Sequence, residues 1–182
     1  AQKLEAIANS SPSPDRNRAR YLLASDLIQQ KQGKKALTLL ERLEADYPVL
    51  AAQVAMKRAQ AYESLGDKAK ATAAWKELLT KYPENPVAAE ALFVLGSKDE
   101  KLQDQAIAQF PSHPRTIEIV RDRLKKTPNS LPLLRLLLQH DHDSQTIGPV
   151  LNQLTTQHAA QLTPEDWEAI ATLHWQRREY GQ

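Results

Sequence analysis

Apolar residues recur three and four positions apart in blocks of about a dozen along this chain, with no sustained apolar/polar alternation. A spacing of three and four keeps side chains on one face of a helix, whereas alternation would keep them on one face of a strand. Asn-Gly and Asp-Gly hairpin turns are also missing. Most of the 11 prolines fall between the blocks, where a residue without an N–H stops a helix or opens the next. The pattern predicts helix, turn, helix from end to end.

The clearest block runs from Ala51 to Pro83. Its first helix carries Ala59 and Tyr62, its turn reads Leu65-Gly66-Asp67, and its second helix carries Ala71, Trp75, Leu78 and Tyr82. Gly66 supplies the positive φ of a helix C-terminus and Asp67 can cap the helix that follows. Ala59 and Ala71 are small where two helices must approach, and Tyr62 and Trp75 fill the space between them. This small–large–turn–small–large–proline order over about 34 residues is the tetratricopeptide pattern.

A shift of 35 repeats it upstream: Ala24 falls on Ala59, Leu27 on Tyr62, Ala36 on Ala71, Leu40 on Trp75, Leu43 on Leu78, Tyr47 on Tyr82 and Pro48 on Pro83. Gly33 stands three residues before Ala36, whereas Gly66 stands five before Ala71, so a shorter first turn is expected. Beyond Pro86 the consensus fades. Short helices are expected over Val87 to Leu95, Gln103 to Phe110 (with Ala106 and Phe110 in the small–large positions), Thr116 to Lys126 behind Pro114, Leu131 to Gln139, and Ile147 to Ala160. Such degeneration points to one dedicated architecture more than to a general-purpose adaptor.

Thr163-Pro164-Glu165-Asp166 is a strong helix start, with Thr as N-cap and acids in the first turn. Trp167, Ile170, Ala171 and His174 then follow the spacing of a repeat's first helix, and Glu179-Tyr180-Gly181 reads as the turn after it. Half a repeat cannot bury its apolar face alone, so the natural polypeptide is expected to continue past Gln182. The fold expected is an all-α, right-handed α-solenoid of tetratricopeptide-like antiparallel helix pairs over 17–182, truncated within its last repeat, with 1–16 as an N-terminal helix or linker.

Composition adds exclusions. The chain has 24 Lys+Arg against 22 Asp+Glu, intermixed, and aromatics make up 5%. A nucleic-acid surface would need clustered basic residues with stacking rings, so no nucleic-acid partner is expected. No segment approaches the roughly 20 apolar residues of a membrane span, and the first residues lack the apolar core of a secretory signal. With no cysteine there are no disulfides, thiolate chemistry or Cys-type zinc sites.

Candidate chemistry is sparse. His140-Asp141-His142-Asp143 has metal-ligand residue types, but two His one residue apart lie on different sides of a helix. A solvated loop explains the run, and no metal is assigned. His174 occupies the repeat's Tyr position with no nucleophile placed beside it. Glu63, Glu77 and Glu90 fall on polar helix faces, and five glycines make no phosphate-binding loop. Tyr21, Tyr47, Tyr62, Trp75 and Phe110 recur at helical spacing and read as core. No catalytic residue and no cofactor is assigned.

In the tetratricopeptide fold the first helix of each pair lines the inner, concave surface. By register its exposed positions are Gln53, Met56, Gln60 and Glu63 in the clearest repeat and Arg18, Tyr21, Ser25 and Ile28 in the one before. These are the candidate contacts. Amides, one Tyr and scattered charges suit weak polar contacts to sugar or peptide, without the basic clamp that grips a terminal carboxylate.

Four runs carry a finer resemblance: Arg18-Ala19-Arg20-Tyr21-Leu22-Leu23-Ala24-Ser25-Asp26-Leu27-Ile28, Ala45-Asp46-Tyr47-Pro48-Val49-Leu50-Ala51, Lys57-Arg58-Ala59-Gln60-Ala61-Tyr62-Glu63 and Phe110-Pro111-Ser112-His113-Pro114-Arg115-Thr116-Ile117. In them the chain resembles the N-terminal helical region of soluble lytic transglycosylases, particularly the cyanobacterial type. The resemblance implies a periplasmic, cell-envelope enzyme that cleaves peptidoglycan with one Glu as acid and base in a goose-lysozyme-like domain. The Glu-Ser motif bearing that acid is absent here and would lie downstream. The chain would then be a non-catalytic arm whose partner is its own downstream catalytic domain, with a glycan strand or a protein as the candidates for what the arm holds. A generic tetratricopeptide adaptor binding a protein or peptide is the other reading.

Overall fold

Every regular element among the described residues is helical, because the apolar spacing and the proline punctuation leave no segment that reads as a strand. The computed structural model describes residues 2–176. They form α1 (Gln2–Ala8), α2 (Pro14–Gln29), α3 (Gly33–Leu40), α4 (Leu43–Asp46), α5 (Ala51–Ser64), α6 (Lys68–Lys81), α7 (Ala88–Leu95), α8 (Glu100–Gln109), α9 (Pro114–Lys126), α10 (Leu131–His140), α11 (Ser144–Gln157) and α12 (Pro164–Gln176). Short 3-10 turns sit at Pro48–Leu50, Gly96–Lys98 and Ala159–Gln161. The chain divides into two compact units, one up to Leu102 and one from Gln103.

In the first unit α2 pairs with α3, α5 with α6, and α5 also packs on α3 and α2. Small residues make this possible. Ala24, Ala36, Ala59 and Ala61 are fully buried, and Leu40, Leu43, Trp75 and Leu78 fill the space around them. The Trp75 indole nitrogen donates to a Glu63 carboxylate oxygen at 2.9 Å, so the large ring keeps a polar partner while its body is buried.

The turns of the two repeats have equal length, which corrects the shorter first turn read from Gly33. Residues 30–32 and 65–67 separate the paired helices, and their hydrogen bonds match at a shift of 35. The Gln32 amide donates to Leu27 O and the Lys31 amide to Ile28 O, while Asp67 donates to Tyr62 O and Gly66 to Glu63 O. Both are Schellman closures, which need a left-handed residue. Gly66 supplies it at φ 72° and Lys31 at φ 58°. Gly33 instead opens α3 where that helix presses on the end of α5. A Cβ there would stand 2.4 Å from Ala61 O and 2.3 Å from Ser64 Oγ.

Where α6 runs unbroken past Trp75 and Leu78, its counterpart breaks after Leu40, turns at Arg42 (φ 58°), and resumes as α4. The break exposes carbonyls, and the buried Arg20 of α2 answers them by donating to Leu39 O at 2.9 Å and to Glu41 O. In the second repeat the equivalent position is Ala55, which has no such reach. Glu44 of α4 then ties the repeats together. It accepts from Arg58 of α5 at 2.6 Å and from the Tyr82 hydroxyl at 2.8 Å. Burial alone would raise this carboxyl, but the Tyr82 and Arg58 hydrogen bonds outweigh it and hold it below its ordinary range.

The second unit is built around Val120, Leu134, Leu137, Leu151, Leu154 and Ile170, with α10 packed against α9, α11 and α12. Caps set its helix starts. Asp143 Oδ1 accepts from the Gln145 amide at 3.0 Å, so α11 begins three residues before the Ile147 expected from apolar spacing. Thr163 and Asp166 exchange bonds, Asp166 N to Thr163 Oγ1 and Thr163 N to Asp166 Oδ2, closing a capping box ahead of α12. Two buried carboxylates lock these starts to neighbouring helices. Arg121 of α9 grips Asp141 through two nitrogens at 2.9 and 2.6 Å, and Thr146 donates to the same carboxylate at 3.0 Å. Arg135 of α10 donates to Asp166 at 2.9 Å and to Gln161 O at 2.7 Å.

Three outcomes are expected. Gly33→Ala should cost at least about 2 kcal/mol in urea denaturation, because the Ser64 and Leu65 side chains can turn aside but the Ala61 carbonyl oxygen cannot, whereas Lys31→Gly should gain about 0.5–1 kcal/mol by relieving the left-handed side chain. An unchanged midpoint for Gly33→Ala would remove the close approach as a constraint.

Trp75→Ala should cost on the order of 3–5 kcal/mol, the range for emptying an aromatic core site. Trp75→Phe should cost distinctly less, although it leaves Glu63 without its donor. Equal losses in the two variants would mean that the indole bond, and not the packing, holds the site.

Asp141 and Asp166 would both be raised by burial, but their hydrogen bonds and arginine partners prevail and their folded pKa values are lowered. Stability from such groups is present above their unfolded pKa near 4 and is lost as pH falls through the lower folded values. Asp141→Asn should therefore destabilise the chain at pH 7, by about 2 kcal/mol given that Arg121 stays partly hydrated. It should also flatten the fall in stability below about pH 4. Denaturation midpoints of both proteins across pH 2–7 check this, and parallel curves would contradict it.

Candidate functional site

The candidate contact residues lie beside the fully buried faces of α2 and α5, and two of them, Tyr21 and Ile28, pack against the core of the first unit. Core packing takes Ala19, Arg20, Leu23 and Ala24 on α2 and Ala52, Val54, Ala55, Ala59 and Ala61 on α5. Tyr21, Ser25, Ile28, Gln53, Met56 and Gln60 are half-buried, and Arg18 and Glu63 are exposed. Steps of three, four and three residues put each set along one helix stripe, and a shift of 35 carries one stripe onto the other.

Several of these groups already have local partners. Ser25 Oγ donates to Tyr21 O at 2.9 Å, and burial pushes the Tyr21 hydroxyl pKa up. Glu63 accepts from Trp75, so this acid belongs partly to the core as well as to the surface. Arg18 faces another feature too: with Leu4, Ile7, Ala19 and Leu22 it lines a groove of about 370 Å3 between α1 and α2.

Sequence reasoning missed Lys57. It is half-buried beside Met56 and donates to Gln60 Oε1 at 3.1 Å. Burial pushes its ammonium pKa down. Its position three residues before Gln60 was a readable signal, but a lysine on a helix is by default a solvated group. The stripe therefore presents a phenol, two amides, a thioether and a partly dehydrated amine. Such a set can donate and accept hydrogen bonds and pack on a flat ligand face, and it places no nucleophile beside a base.

The remaining candidates resolve into structure. Asp141 is a buried ion-pair partner, Asp143 is a helix cap, and His140 Nδ1 lies 3.0 Å from Ser112 Oγ. Past His140 the run is a loop between α10 and α11 with His142 and Asp143 exposed, and the solvated reading is corrected at Asp141 alone, which Arg121 draws inward. Among the described residues no group of three or more His, Asp and Glu is placed to hold a metal ion. Glu77 pairs with Lys81 at 2.6 Å, and Glu90 is half-buried on α7. Tyr47, Tyr62 and Phe110 are half-buried, unlike the fully enclosed Trp75. On α12, Ile170 is buried, His174 is half-buried and Trp167 is 43% exposed. Glu179-Tyr180-Gly181 lies outside the described residues. No helix among the described residues is long and apolar enough to cross a membrane.

Comparison with known proteins agrees with this geometry over one segment. A tetratricopeptide-repeat family model matches residues 53–85, the α5–α6 pair together with its closing proline. No curated protein and no solved structure matches the chain. Residues 53–85 are thus similar to a tetratricopeptide repeat, within a chain whose described elements are all helical and packed in pairs, and repeats of this kind form protein-interaction modules.

Proposed function

We propose that this chain is a non-catalytic interaction module that holds its partner on the paired stripes of α2 and α5. The observation that carries the reading is the repetition of one stripe, Arg18-Tyr21-Ser25 on α2 and Gln53-Met56-Gln60 on α5, exposed at Arg18 and half-buried elsewhere, at the 35-residue register that organises the core. Stacked repeats bind partners on surfaces of this kind, where neighbouring first helices present equivalent positions side by side. Tyr21, Met56 and the stem of Lys57 would give contact area, and Ser25, Gln53 and Gln60 would fix orientation.

The finer reading takes the chain as the helical arm of a peptidoglycan lytic transglycosylase in the cell envelope. Its arm would support a catalytic domain in the same polypeptide and contact a glycan strand or a partner. What supports it is the set of four family-like runs, from Arg18 through Ile117. A polar, weakly charged stripe with one phenol also suits sugar hydroxyls and ring faces.

Titration of labelled glycan strands and of labelled stem peptides against the full chain tests both readings. Binding weakened about tenfold in the Tyr21→Ala/Gln60→Ala double variant would support the stripe. Binding unaffected by that variant would show that the site lies elsewhere. The chain should release no anhydro-muropeptides from purified peptidoglycan, and dose-dependent release by a pure preparation would overturn the non-catalytic assignment.

A further inference from the structure

Lys57 differs from every other lysine of this chain: the others are all exposed, whereas Lys57 is half-buried on α5. It follows Gln53 by four residues and precedes Gln60 by three, so it shares the face of α5 that carries the stripe. Lys57 Nζ donates to Gln60 Oε1 at 3.1 Å and makes no ion pair with another described residue.

An ammonium carries three N–H donors, and one neutral amide oxygen answers only one of them. Burial pushes the Lys57 pKa down, and no neighbouring carboxylate pulls it back. A cation that has lost part of its water gains more from an arriving anion than a fully hydrated one, because the field between the two is less screened.

The acids near α5 are engaged elsewhere. Glu44 and Glu77 hold Arg58, at 2.6 and 4.0 Å. Glu63 turns its carboxylate to the Trp75 indole nitrogen. Of the charged side chains on the two stripes, Arg18 and Glu63 are exposed, and the Lys57 ammonium is half-buried without a counter-ion. A single such cation suits a single carboxylate, whereas a phosphate polymer is held by several basic groups at once.

We infer, on the stripe reading proposed above, that the stripe receives an acidic segment of a protein partner, with one aspartate or glutamate side chain ion-paired to Lys57. The carboxylate accepts from the two N–H donors that Gln60 leaves over. Met56 and Tyr21 supply contact area beside it, and Gln53 fixes the segment's orientation.

Fluorescence anisotropy on the full chain tests this with three short labelled peptides of leucine, tyrosine and serine. The first carries internal glutamates and an amidated C-terminus. The second has glutamines in their place, and the third has those glutamines with a free C-terminal carboxylate. The glutamate peptide should bind with Kd on the order of 100 μM, about tenfold tighter than the amidated glutamine peptide. Lys57→Met, which keeps the apolar stem, should remove that preference, and Lys57→Arg should keep it. Both variants should retain the wild-type helical spectrum, because neither leaves a carboxylate unpaired. The Lys57 ammonium, titrated by NMR, should rise in pKa when the glutamate peptide is bound and stay in place with the amidated glutamine peptide.

Equal binding of the two amidated peptides, a preference that survives Lys57→Met, or no binding at ~1 mM would overturn the inference. Tighter binding of the third peptide than the first would overturn it too, by moving the carboxylate to a chain end. Tyr21→Ala/Gln53→Ala, which leaves Lys57 and Gln60 in place, separates the two readings. If it weakens both amidated peptides alike, the stripe stands even where the charge preference fails. If it changes neither, the stripe reading falls and the inference with it.

Discussion

Close approach of helix backbones is the constraint on which the first unit depends. Gly33 meets the end of α5 so tightly that a single methyl group would strike a carbonyl oxygen, and Ala24, Ala36, Ala59 and Ala61 are wholly buried around it. Helices held that near leave gaps only at intervals, and Leu40, Leu43, Trp75 and Leu78 fill them. Packing at this density makes each repeat sensitive to volume in both directions, since lost atoms leave a cavity and added ones force strain. The same close approach buries one side of α2 and α5 completely and leaves the adjoining stripe half-buried.

The second unit meets the same demand differently. Among its described residues one alanine is buried and leucine makes up a larger share of the core, and its helix starts are fixed by carboxylates that serve two purposes. Asp141 and Asp166 each satisfy backbone amides at a helix entrance while receiving an arginine from a neighbouring helix. A carboxylate buried alone would be costly, and one that is capped, paired and hydrogen-bonded becomes a locating pin. Glu44 performs a comparable task in the first unit, where three side chains from the second repeat converge on it. Polar chemistry in this chain is therefore concentrated on joining elements. The residue types that suggested a metal or a catalytic base serve as caps and ion pairs.

The contrast between the repeats shows how a register tolerates departures from consensus. Lys31 adopts the left-handed geometry that Gly66 adopts one repeat later, with the same two hydrogen bonds around it. The helix break at Arg42 leaves Leu40 and Leu43 as buried as Trp75 and Leu78, because Arg20 supplies donors to the interrupted carbonyls. A consensus describes which positions must be small, large or closed, and several side chains can meet each requirement.

By itself the sequence determined the helical class, the 35-residue register and most helix boundaries, because these follow from local periodicity, proline chemistry and caps within a few residues. Trp75 was legible as core for the same reason, whereas the stripe of Arg18, Tyr21, Ser25, Gln53, Met56 and Gln60, expected from register to be exposed, is half-buried at every position but Arg18. Only the tertiary structure decided what depends on partners distant in the chain. Gly33 became a contact glycine because α5 lies against it, and Glu63 became partly a core acid because Trp75 turns its indole nitrogen toward it. Asp141 left the solvent because Arg121, twenty residues upstream, reaches it. Periodicity encodes which face of a helix is apolar, and the identity of what covers that face is a property of the assembled chain.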